Sequence, residues 1–211
     1  MKVIAIILYL VILLLFYNTA NTDEEYYKSL NRLKTFDTKD NLKIISVSIA
    51  FFTYLIFQSP EVALVCAITL PYLTISAMCD NLTKLVYTTP VYVFIVMAIV
   101  IEQITVQNVV ILLMSIITLA MVVLGLMGAG DQGMIMIPGV IYYAKYGNGI
   151  NAILFMLVTI IISEIILYMI ALKNKKLDGW FKAKEPLAFG PAILLGTIFM
   201  LFVEELCIRL V

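Results

Sequence analysis

The chain has 211 residues, of which 63% are hydrophobic and 13% charged, and its fourteen basic and fourteen acidic side chains cancel. A soluble domain carries about twice that charged fraction, and one core of this size has no room for so much apolar surface. Histidine is absent, which excludes Ser-His-Asp and Cys-His catalysis, His-ligated zinc and imidazole proton relays within this chain.

The apolar residues fall in eight stretches separated by polar segments, the pattern expected when lipid is the solvent. The first, Val3 to Tyr17, follows Met1-Lys2 as a signal sequence would. The lysine-bearing segment behind it favours an uncleaved anchor instead. A polar segment, 18–43, comes next, with Tyr26, Tyr27, Leu30, Leu33 and Phe36 near the spacing of a surface helix. Its Asp23, Glu24 and Glu25 form either a plain solvated face or an attraction for a basic substrate segment. Stretches Leu42 to Phe57 and Val62 to Cys79 lead to a loop at about 80–90, followed by Leu85 to Ile101 and Val109 to Met127. Met134 to Ala144 is short and contains Pro138 and Gly139, so it reads as a crossing that is broken or re-entrant, tolerable where it faces protein or water. Ile150 to Leu172, a basic loop at 173–186 and Leu187 to Val203 complete the chain. Cys66, Cys79 and Cys207 lie in or beside apolar runs without CxxC spacing and read as inert packing residues. The expected fold is all-α: a polytopic transmembrane bundle of about eight helices, six to eight being compatible, in one domain over 1–211.

Orientation follows from the basic residues. With eight crossings and 18–43 inside, the cytoplasmic segments hold eleven lysines and arginines and the outer ones three, Lys2, Lys145 and Arg209. The positive-inside rule therefore sets 18–43, 80–90 and 173–186 in the cytoplasm of a multi-pass cell-membrane protein.

That topology brings Asp80 and Asp131 to one edge. Each ends a stretch running from outside to inside, so both reach the cytoplasmic boundary at similar depth. An ionisable residue there is a functional candidate by default. Two neighbouring carboxylates share a proton, which yields one general base for water and one general acid for a scissile carbonyl. The plain reading is a helix cap at Asp80-Asn81 and a turn residue at Asp131. Glu164, inside the Ile150 to Leu172 run, either pairs within the bundle or lines a polar cavity. Glu61 and Glu102 read as solvated outer ends.

The residues Gly128-Ala129-Gly130-Asp131 match the GxGD signature of intramembrane aspartyl peptidases. Pro186-Leu187-Ala188-Phe189-Gly190-Pro191, continuing to Gly196, looks like the entry into the last helix of type IV prepilin peptidases. Cys79-Asp80-Asn81-Leu82-Thr83-Lys84, with Pro90 beyond, resembles that family's first-aspartate region. Together these motifs span most of residues 60–205, and the chain resembles the type IV prepilin and archaeal preflagellin peptidases. The resemblance implies an aspartic endopeptidase with Asp80 and Asp131 as the catalytic pair and Gly128 and Gly130 shaping the turn beside it. It implies no cofactor or metal and no nucleic-acid partner. The implied substrate is a prepilin-like or preflagellin precursor, whose short basic leader is cut at the cytoplasmic face. Two departures bear on substrate class: Gly133 stands where the family commonly has lysine, and the proline after the first aspartate comes late. The tetra-cysteine domain of bifunctional bacterial members is missing, so N-methyltransferase activity is not implied. A rival reading is a small ion- or proton-coupled transporter using Asp80, Asp131 and Glu164, and a third is a structural membrane subunit without chemistry.

Overall fold

The computed structural model describes residues 2–22, 39–57, 60–83, 109–173 and 187–210. The expectations for the surface helix at 26–36, the Leu85 to Ile101 stretch, Glu102, and most of the loop lysines lie outside the described residues. Among the described residues there are seven helices and no strand: α1 (Lys2–Thr22), α2 (Lys39–Ile56), α3 (Pro60–Thr83), α4 (Val110–Val123), α5 (Asp131–Tyr146), α6 (Gly149–Lys173) and α7 (Gly190–Leu210). Two contain segments long and apolar enough to cross a bilayer, Val62–Leu82 and Gly149–Lys173.

The helices differ from the apolar stretches mainly at their polar ends. Helix α1 continues to Thr22 and α2 begins at Lys39, so the polar 18–43 segment is helical at both margins. Helix α3 runs four residues past Cys79, placing Asp80 inside its last turn rather than in a loop. The expected break in the Met134 stretch is not seen. Pro138 and Gly139 lie within a continuous helix whose residues 132–141 are all buried. A proline removes one intrahelical N–H, and here the helix runs on through that loss while packed among its neighbours.

Helices α3 and α5 form the centre. Helix α3 packs against α1, α2, α5 and α7, and α5 against α3, α4, α6 and α7. Every residue from Leu70 to Asp80 is buried. The outer helices present apolar side chains outward instead, including Leu14 (60% exposed), Ile161 (59%) and Phe202 (53%). In water such a continuous apolar exterior is an interaction surface. In lipid it is the ordinary solvated face.

Polar contacts and small residues join the helices. Tyr9 of α1 hydrogen-bonds Ser48 of α2 at 2.9 Å, and the Thr74 hydroxyl of α3 donates to the same Ser48 oxygen at 2.6 Å. Beside this knot the Tyr9 and Phe52 rings stack at 4.0 Å. Helices α6 and α7 meet where Gly196 lies directly against Ser163. Between α5 and α6 the chain reverses through Gly147 and Asn148, whose side-chain oxygen accepts the Asn151 N–H at 3.1 Å, an N-cap.

The contacts also define two ends. Lys2 sits over the Phe57 ring, joining the start of α1 to the end of α2. Lys145 pairs with Glu204 at 3.7 Å, with both side chains about 15% exposed, and joins the end of α5 to the end of α7. At the opposite end the Asn81 amide donates to Asn41 at 3.4 Å. That end gathers the C-terminus of α3 and the N-termini of α2, α5 and α7.

Candidate functional site

The second end holds both predicted aspartates, each positioned by a different helix. Asp80 occupies the last turn of α3 and is only 5% exposed. Its Oδ2 accepts the backbone N–H of Gly190, the first residue of α7, at 2.6 Å. A buried carboxylate needs such a donor, because an unpaired charge away from water is costly.

Asp131 is the first residue of α5, ahead of the apolar stretch that begins at Met134. The approach to it is a tight turn. Helix α4 ends in a pair of bonds, Gly125 N–H to Val122 oxygen at 3.0 Å and Leu126 N–H to Met121 oxygen at 2.9 Å. Gly125 has φ 71°, the left-handed residue of a Schellman cap. The left-handed residue thus lies ahead of the GxGD motif, whose Gly130 is in the right-handed helical region, φ −67°. Gly128 acts differently, donating its N–H to Asp131 Oδ2 at 3.2 Å.

The two carboxylates feel one another. Burial pushes the Asp131 carboxyl up to about 6; the Asp80 charge adds to this, the Gly128 N–H opposes it, and Glu164 adds a smaller upward push. The Asp80 charge therefore disfavours ionisation of Asp131.

Glu164 is placed differently from both. Its side chain lies on the exposed side of α6, nine residues and therefore about 13 Å from the helix end at Lys173. Its charge nonetheless adds to the upward push on Asp131. Cys66 and Cys79 are buried and unbridged. Among the described residues no cluster of three potential metal ligands occurs.

Three features of the site went unassigned in the sequence. Gly190 stood within a quoted motif, yet its contact with Asp80 joins residues 110 apart and has no local signal. Two buried polar atoms on the aspartate-bearing helices, the Tyr72 hydroxyl and the Gln132 side-chain oxygen, have no hydrogen-bond partner among the described residues. A glutamine directly after the GxGD aspartate, within an otherwise apolar run, was the signal for the second. An apolar cavity of about 730 Å³ lies between α2, α6 and α7, lined by Val47, Phe51, Tyr54, Ile166, Leu195 and Phe199 among others. Its lining carries no carboxylate, so the polar chemistry belongs to the helix ends. No family model, no curated protein and no solved structure matches the chain.

Proposed function

We propose that the chain is a polytopic membrane aspartyl endopeptidase of the prepilin or preflagellin type, with Asp80 and Asp131 as its catalytic pair. The observation that carries this reading is the convergence of the ends of α3, α5 and α7, with the Asp80 charge reaching Asp131. One carboxylate takes a proton from water as the other protonates the carbonyl oxygen of the scissile peptide; the first then gives its proton to the leaving nitrogen, the second regains one from the gem-diol, and the C–N bond breaks to release amine and acid. No histidine or nucleophilic side chain enters the cycle.

Eight crossings with the site in the cytoplasm complete the proposal. The described chain leaves the site end at Thr83 and re-enters at the opposite end at Val109, and the apolar stretch Leu85 to Ile101 lies between them in sequence. Lys39, Lys43 and Lys173 lie at the site end and Lys2, Lys145 and Arg209 at the other; the positive-inside argument rests on the lysines of the polar segments 18–43 and 173–186 in the sequence. The scissile bond of a precursor, between its basic leader and its apolar helix, would meet the carboxylates at that boundary.

The test is co-expression with a prepilin or preflagellin precursor, leader removal being read by gel shift. Asp80→Ala and Asp131→Ala each abolish processing, whereas Glu164→Ala leaves most of it. Processing that survives Asp131→Ala ends the proposal. Proton flux lost in all three variants, without cleavage by the unsubstituted chain, selects the transporter reading instead.

A further inference from the structure

We propose that the backbone amide of Gly190 is a positioning device that holds Asp80 ionised, making Asp80 the general base and leaving the shared proton on Asp131. The inference rests on the peptidase reading and divides the two roles within it.

The geometry is specific to this residue. The first N–H groups of a helix have no intrahelical acceptor, and Gly190 directs one of them at Asp80 Oδ2 across 2.6 Å. Pro191 follows, with no N–H and a preset φ that suits the first turn. The positive end of the 21-residue α7 dipole then faces a carboxylate, which favours its charged form. Glycine is required by the approach itself. A Cβ at position 190 would stand 2.9 Å from the Cα of Ala77 and 3.3 Å from the Cβ and Oδ2 of Asp80. The first of these is backbone in the middle of α3 and has nowhere to go.

Asp131 is held more weakly. Its backbone donor, Gly128, is at 3.2 Å rather than 2.6 Å, and its proton is retained up to about 6. The titratable groups described around the pair are Tyr72 and Cys79 on α3, Glu164 on α6 and the two aspartates themselves. Of these, Asp80 receives a backbone N–H from a helix end and Asp131 one from the turn that precedes its helix.

A backbone ester at position 190, made by incorporating glycolic acid in place of glycine, removes the N–H and adds no atom. The full chain in lipid nanodiscs is assayed on a synthetic precursor with a basic leader and an apolar helix. The ester should lower kcat about 10- to 100-fold, the range for a hydrogen bond to a charged group, with KM within about twofold. The acid limb of kcat should move to higher pH. Unchanged kcat and an unmoved acid limb overturn the proposal. Gly190→Ala, which pushes α7 away, serves as a second variant with the same expected direction.

Carbodiimide labelling of the carboxyls, read by mass spectrometry across pH, separates this inference from the peptidase reading. The ester should raise the labelling midpoint of Asp80 and leave that of Asp131 at or below its former value. If the unsubstituted chain cleaves nothing but the Asp80 midpoint still moves, the amide holds Asp80 and the peptidase reading falls alone. An unmoved Asp80 midpoint overturns the proposal whatever the cleavage result.

Discussion

At the scale of residues, the chemistry reduces to two acids in unlike settings. Asp80 is nearly sealed and has a short backbone donor; Asp131 is less buried and holds its proton longer than a free carboxyl would. Because the folded pKa of Asp131 lies at about 6 against an ordinary 3.8, the folded chain binds a proton in that interval that the unfolded chain has released. Stability linked to this group is therefore present below about pH 4 and declines as pH rises through about 6. The proposed cleavage mechanism uses the same proton, and on it kcat should fall on the alkaline side with a midpoint near 6. Asp80→Asn removes the neighbouring charge and should lower the Asp131 midpoint, without returning it to 3.8, because burial is the larger cause. Isotope-edited infrared titration of the carboxyl bands reads this directly, and an Asp131 midpoint indifferent to Asp80→Asn would mean that the two acids do not interact.

Among the helices, the parts that were legible in the sequence are those written in local order. Runs such as Ile150 to Leu172 predicted α6 to within about a residue, since a long apolar segment has few alternatives to helix once its backbone leaves water. The ends were less legible. Helix α3 carries Asp80 past its apolar run because the Gly190 amide and the neighbouring helices receive the polar residues there, and those partners lie far away in sequence. The Met134 stretch was expected to break at Pro138, and it stays helical because its flanks are buried on every side. At the turn before Asp131 the motif glycines drew attention away from Gly125, the one with positive φ. The α6–α7 crossing gives a test at this scale. Gly196→Ala places a methyl against Ser163, and such overpacking costs about 1–3 kcal/mol, or several degrees of Tm for a chain of this length. Ser163→Gly in the same chain should recover most of the loss, as measured by thermal aggregation in detergent. A Tm insensitive to Gly196→Ala would show that the two helices do not touch there.

For the whole molecule, the division into two ends organises everything proposed. One end gathers Asp80, Asp131, Asn41, Asn81, Gly190 and the greater share of described lysines; the other carries Lys2, the Lys145–Glu204 pair and Tyr146. Composition alone predicted an apolar exterior, and alternating helix directions predicted that Asp80 and Asp131 share an edge. The same topology starts α7 at that edge; what sequence order did not disclose is that α7 closes on Asp80 there. The central claim is that both aspartates face the same aqueous compartment, the cytoplasm. The most direct measurement replaces the three native cysteines, introduces a single cysteine at position 80 or at position 131, and labels sealed right-side-out and inverted vesicles with a membrane-impermeant thiol reagent. Both positions should react from the cytoplasmic side, and reaction of the two from opposite sides would contradict the account.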